Sequence, residues 1–322
     1  MESILIVERR TTAPDFDMTD NLDYVDTSDY SSQKTQFHLN SEAGCVVPAR
    51  DRVQETHPSG SAMICLTGDV HHRSYRGVDT PYTEQTDARL ALRYCDIAAR
   101  HHVKVTLFVT GKACLEERET LMDLGRRTHC EIGGHTFCAF RSFRHWLSKS
   151  LGGSVLGSVS TQHKDIERTI EAIRDVIGKR ITTWRNHAYK HDAHTYPLLG
   201  ESGIRIVSDR VAANTTAVER VSQELLSLPI NTLPAHEHLL HGKYLHEQTH
   251  VTQLEGRKTI DEWRADVERQ VETIERLGGI ATIHASPLCM EVADGMRSFE
   301  RLCRFLSRYE THWVSEVADS RL

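Results

Sequence analysis

The chain has no CxxC pair: its eight cysteines, Cys45, Cys65, Cys95, Cys114, Cys130, Cys138, Cys289 and Cys303, are scattered. That scatter excludes a zinc knuckle and a disulfide framework and fits reduced, mostly buried thiols. Long apolar runs are missing as well. Nothing approaches the roughly 18 residues of a membrane span, so no membrane partner is expected. The opening MESILIVERR carries too short an apolar stretch after its acidic residue for a secretory signal, and a cytoplasmic protein is expected. Strong charge of one sign is lacking too: 39 Lys and Arg stand against 45 Asp and Glu, a net −6 over 322 residues. This balance argues against a nucleic-acid surface.

What is abundant is histidine. There are twenty, several in tight groups: His71 and His72; His101 and His102; His187, His191 and His194; His236, His238 and His241. A lone surface histidine needs no explanation, so the groups take meaning only from their place in the fold. With 39% hydrophobic and 26% charged residues, the chain can bury one domain of roughly 250 residues and carry an extension.

Residues 1–58 read as that extension. Six aspartates (15, 17, 20, 23, 26 and 29) mix there with Thr, Ser and Tyr, without helical periodicity. A calcium loop begun at Asp15 needs glycine at its sixth place and glutamate at its twelfth, and finds Asp20 and Asp26. A solvated arm is expected instead.

From residue 59 to 322 the texture is alternating strand and helix. Strands are expected at MICLT, KVTLFVTG, CEIGGH, RITTW, GIRIVSD, LLSLPIN and IATIH, with a last one over 313–317. Helices are expected over 86–100, 115–125, 165–178, 193–202 and 299–309. A further long one opens at the capping box Thr259-Ile-Asp-Glu262. Repeated strand–helix units point to a parallel sheet or a (β/α) barrel, whose active site lies past the strand C-termini. Asp69, His71, His135, Arg185, Asp209 and His284 each fall just past such a strand. A solvated histidine has no reason to prefer strand ends.

In order and context these residues resemble the polysaccharide deacetylase superfamily, the carbohydrate esterase family four and its relatives, from about residue 61 to the end. The family's T-F-D-D-G is similar to Thr67-Gly-Asp-Val-His71, with Asp69 in the place of the first acid and Val70 in that of the second, a metal ligand. In a D-x-D register, His71 takes the ligand position. The family's H-[ST]-x-x-H is similar to the run after Glu131-Ile-Gly-Gly-His135, but its second histidine has become Ala139. The third motif's arginine matches Arg185 in TWRNHAY, where the usual proline is His187. The fourth motif's acid matches Asp209, and the fifth motif's histidine matches His284.

The resemblance implies a distorted (β/α) barrel and hydrolysis of a carbon–nitrogen bond. It implies Asp69 as general base held by Arg185, and His284 as general acid tuned by Asp209. A divalent metal is implied on His71 and His135, zinc first, with cobalt, nickel or iron as alternatives. His236, in the segment LPINTLPAHEHLLHG, is a candidate for the ligand missing at Ala139. Arg141 and Trp146, on a lid-like segment over 141–162, are candidates for substrate binding, with His187 and Tyr189. The expected partner is a small molecule, an acetamido sugar or a conjugate of one, and a homo-oligomer is left open. Two rivals stand beside this expectation. One is a metal-free amidase or ring-opening hydrolase of a non-sugar substrate. The other is a binding protein on the same fold, which would need neither the acid nor the base pair.

Overall fold

The structure is a computed structural model that describes residues 62–141, 145, 150, 154–246 and 256–320. The expected extension, its boundary at residue 58 and Trp146 lie outside the described residues.

Eight strands form one sheet: β1 (Met63–Val70), β2 (Val105–Val109), β3 (Cys130–Gly134), β4 (Thr183–Trp184), β5 (Ile206–Val207), β6 (Glu219–Arg220), β7 (Leu226–Ser227) and β8 (Ile280–His284). Their order is β6-β7-β5-β4-β3-β2-β1-β8. Every pairing is parallel except β6 with β7. β2 and β8 are buried along their whole length, as apolar, β-branched strands covered on both faces should be. β1 runs on past its apolar residues, so that Asp69 pairs with Phe108 inside the sheet.

The sheet curls until its edge β8 meets the segment after β7. Asn231 closes this seam with its side chain. Its Nδ2 donates to the carbonyls of Ile280 and Thr215, and its Oδ1 accepts from the Thr282 N–H. The Thr232 hydroxyl donates to the Thr282 carbonyl. One amide side chain thus satisfies edge groups that a ninth strand would otherwise pair. The result is the expected distorted (β/α) barrel.

The helices follow their apolar spacing. Asp87–Arg100 is capped by the Thr86 side chain and buries Leu90, Tyr94, Ile97 and Ala98. Val159–Ile177 begins earlier than expected, at the Ser158 cap, and stops at Gly178, whose φ is 72°. Ile260–Arg276 has the expected capping box at Thr259 and Glu262 and turns Trp263, Val267, Val271 and Ile274 inward.

Two expectations are corrected. The last strand, over 313–317, is instead a helix, Val314–Asp319, because Val314, Val317 and Ala318 are buried together at helical spacing. The single helix over 115–125 is two, Gly111–Glu116 and Arg118–Gly125. The helix Pro287–Asp294 and strand β6 carry no pattern strong enough to have been expected.

Candidate active site

All parallel strands end on one face, and there the functional side chains meet. Three histidines converge first. His187 Nδ1 lies 3.3 Å from His71 Nε2 and 3.3 Å from His135 Nε2. The other nitrogens of His71 and His135 are already engaged: His71 Nδ1 is 3.1 Å from Asp87 Oδ2, and His135 Nδ1 is 2.9 Å from the Arg185 carbonyl. Neither a carboxylate nor a carbonyl can donate, so each Nδ1 carries the proton and each Nε2 is left with a bare lone pair. His187 has one proton at most to offer from Nδ1, and it cannot serve both neighbours. Burial holds His135 neutral, down to about 4. Burial, with the two neighbouring imidazoles, holds His187 well below the ordinary histidine range. Three imidazole nitrogens aimed at one point, two of the rings braced from behind, suit a divalent cation. The donor set therefore fits a metal.

The chain makes this point locally. Gly134 ends β3 without a side chain because a Cβ there would run into the Trp184 ring on the neighbouring strand. Thr136, Ala139, Phe140, Ala188 and Tyr189 have positive φ values between 50° and 59°. Non-glycine residues pay for such backbone, and here they crowd the loops after β3 and β4. Tyr75 stacks on His71 with ring centroids 4.4 Å apart, and the Arg141 guanidinium lies over Tyr75 at 4.8 Å. Arg141 thus sits at the exposed rim of this group.

Beside the histidines lies the acid–base network. Arg185 is fully buried. It donates to Asp69 Oδ1 at 3.0 Å, to the Thr67 and Ser208 hydroxyls and to the Ser208 carbonyl. Four partners for one guanidinium are what its burial requires. Asp69 Oδ2 is 3.1 Å from His284 Nε2 and 4.0 Å from His135 Nε2. Burial alone would raise the Asp69 carboxyl, but His135, Arg185 and His284 together hold it well below the usual carboxylate range. His284 Nδ1 lies 2.8 Å from the Tyr189 hydroxyl. Burial pushes that phenol up, so it stays protonated and can donate to Nδ1.

Two placements differ from expectation. Asp209 does not meet His284: it accepts from Asn186 Nδ2 at 2.5 Å and from the Tyr196 hydroxyl at 2.9 Å, and burial raises its carboxyl. Its geometry braces the residues that flank Arg185 and His187, and Tyr189 takes the place expected of it. His236 does not join His71 and His135; His187 does, and His236 stands with His241 and Cys289. The signal for His187 was the departure from proline at its position. Asp87 was missed altogether, since an acid in the first turn of a helix reads as a dipole partner.

Residues 79–207 match the family model described as polysaccharide deacetylase. Solved structures with the same fold include a "putative polysaccharide deacetylase" from Mycobacterium smegmatis, 18% identical, with 82% of this chain and 92% of that one covered at a TM-score of 0.61. Another is Puue allantoinase, 10% identical, with 85% and 97% covered at 0.61. A "probable polysaccharide deacetylase" from Pseudomonas aeruginosa PAO1 is 12% identical, with 84% and 97% covered at 0.61. No curated protein matches the chain in sequence.

Proposed function

We propose that the chain is a divergent member of the polysaccharide deacetylase superfamily that hydrolyses a carbon–nitrogen bond other than a peptide bond, as an N-deacetylase of a small acetamide. The substrate is an acetamido sugar or a conjugate of one, met in the cytoplasm. The observation that carries this reading is the direct contact of Asp69 with His284, with Arg185 behind the one and Tyr189 behind the other.

Hydrolysis of an amide needs a base for the attacking water and an acid for the leaving nitrogen. Asp69 Oδ2 takes the proton from water. Arg185 holds the opposite oxygen, so the carboxylate cannot turn away. A doubly protonated His284, its Nδ1–H donated to the Tyr189 oxygen, gives the Nε2 proton to the departing amine, and the proton that Asp69 took from water, 3.1 Å off, reloads it. Tyr189 fixes the ring that does so. A divalent metal, zinc first, would be held by His71, His135 and His187. Its contribution is Lewis-acid polarisation of the carbonyl and acidification of water. Arg141 at the rim meets the polar part of the substrate.

The metal-free rival drew its support from the histidine lost at Ala139, and His187 removes that support by supplying a third imidazole. The test is acetate release from N-acetylhexosamines and their conjugates, alongside ring opening of allantoin. Asp69→Asn should lose about 10²–10⁴-fold in kcat with little change in metal content. Full activity in that variant would sink the acid–base reading, and ring opening without acetate release would sink the substrate class.

A further inference from the structure

A second group of donors lies away from the three histidines, and the deacetylase reading makes no use of it. His236, His241 and Cys289 each turn one ligating atom to a common point, all within 4.8 Å of one another. Asp79 joins them: its Oδ2 is 3.2 Å from His241 Nε2 and 3.9 Å from His236 Nδ1. Cys289 Sγ is 3.8 Å from His236 Nδ1. Donors around a tetrahedral zinc with bonds of about 2.0–2.3 Å stand about 3.3–3.8 Å apart. The His241–Asp79, His236–Asp79 and Cys289–His236 separations are close to that, and His236, His241 and Cys289 lie within 4.8 Å of one another.

The geometry around His241 points the same way. His241 is fully buried, and its Nδ1 donates to the Leu239 carbonyl at 2.8 Å. Its Nε2 is buried without a well-aligned hydrogen bond, although Asp79 Oδ2 is 3.2 Å away. A buried ring nitrogen facing a buried carboxylate needs positive charge between them, either a proton on Nε2 or a metal ion in its place. Asp79 is held to face it. Its Oδ1 accepts from the Lys243 N–H at 3.2 Å, and Gly242, at φ 46°, packs so closely that a Cβ would strike the carboxylate. His236 has a side chain 54% exposed, which leaves an entrance from solvent.

We propose that Asp79, His236, His241 and Cys289 form a second metal site, selective for zinc among physiological divalent ions. Two imidazoles, a thiolate and a carboxylate are a closed, four-donor zinc set of borderline softness. The outer nitrogen of His241 and the outer oxygen of Asp79 are each tied to backbone, as the supports of metal ligands are. The site joins three segments distant in sequence: the turn at Asp79, the 236–242 segment and the helix Pro287–Asp294. That helix begins just past His284, so the metal pins the strand end that carries the proposed acid. The proposal stands on this group alone and does not depend on the reaction assigned above.

The donors make the two groups separable by spectroscopy, because only the second contains sulfur. Cobalt is titrated into the untagged, metal-free full chain. A thiolate-to-cobalt charge-transfer band in the near ultraviolet is expected, with two equivalents bound at saturation. Cys289→Ser should abolish the band and leave one equivalent, whereas His71→Ala should keep the band and lose the other. Asp79→Asn, which leaves the thiol in place, should weaken the band-forming step by tenfold or more. No band at saturating cobalt, the signature of a simple ion pair between protonated His241 and Asp79, would overturn the proposal. So would a band that survives Cys289→Ser, or an unchanged affinity in Asp79→Asn if the serine variant does not fold.

Discussion

The two histidine groups are built from the same side chain and by opposite means. His71, His135 and His187 stand at the ends of β1, β3 and β4, where sheet register sets their spacing. His236 and His241 sit on a short irregular segment, and the partners that position them are the Asp79 turn and a helix. Ring orientation in the first group is set by Asp87 and by a strand-end carbonyl, and in the second by a carbonyl two residues back. The first group is imidazole nitrogen throughout and adjoins Asp69. The second brings its own negative donors. A site for chemistry offers three protein donors and leaves a position open, whereas a site for cohesion closes its ion with four.

The comparison can be broken at several points. Asp69→Asn has the largest expected effect, the loss of kcat given above, with both groups of ligands intact. Arg185→Lys keeps the charge but not the planar fork that serves four partners. It should destabilise the fold by about 3–5 kcal/mol in urea denaturation, and a loss below about 1 kcal/mol would mean the network tolerates rearrangement. Asp87→Asn leaves every proposed ligand in place. It should weaken the first group's metal by about 10–100-fold and leave the thiolate–cobalt band untouched, so equal weakening of both groups would erase the distinction.

Gly242→Ala is the mirror experiment. Strain at φ 46° and the collision with Asp79 should cost about 1–2 kcal/mol and weaken only the second group. Asp165 gives the smallest effect. It accepts from the Phe137 N–H behind His135, and burial pushes its carboxyl up to about 6. The unfolded chain releases that proton near pH 4, at about the ordinary aspartate value. Between the two values the folded state binds more protons, so stability falls as pH rises through that window. Asp165→Asn should gain on the wild type between pH 4 and pH 7, and a pH-independent difference would remove this contribution.

Much of the fold was legible because its signals are local. Thr259 with Glu262, the β-branched run of β2 and the spacing of Ile166, Ile170 and Ile173 each state their element within a few residues. The failures share a cause. Residues 313–317 place two β-branched valines and a tryptophan in five positions, which reads as a short strand, and only the surface they pack against makes them a helix. β4, β5 and β7 have two residues each in the ladder; beyond it the segments read as longer strands are held by single backbone bonds, such as Ser208 N–H to the Trp184 carbonyl, together with side chains such as Arg185 and Asn231.

The candidate site divides along the same line. Asp69, His135, Arg185 and His284 could be picked out in the sequence because a strand end is a local feature and each stands just past one. Which of them touch could not be. Tyr189 in place of Asp209 against His284, His187 in place of His236 beside His71, and Asp79 opposite His241 are pairings between residues tens to hundreds of positions apart. A sequence of this kind states which side chains reach the mouth of the barrel. The curl of the sheet and the turns at positive φ decide which atoms face each other there, because a hydrogen bond or a metal bond depends on tenths of an ångström that no spacing along the chain encodes.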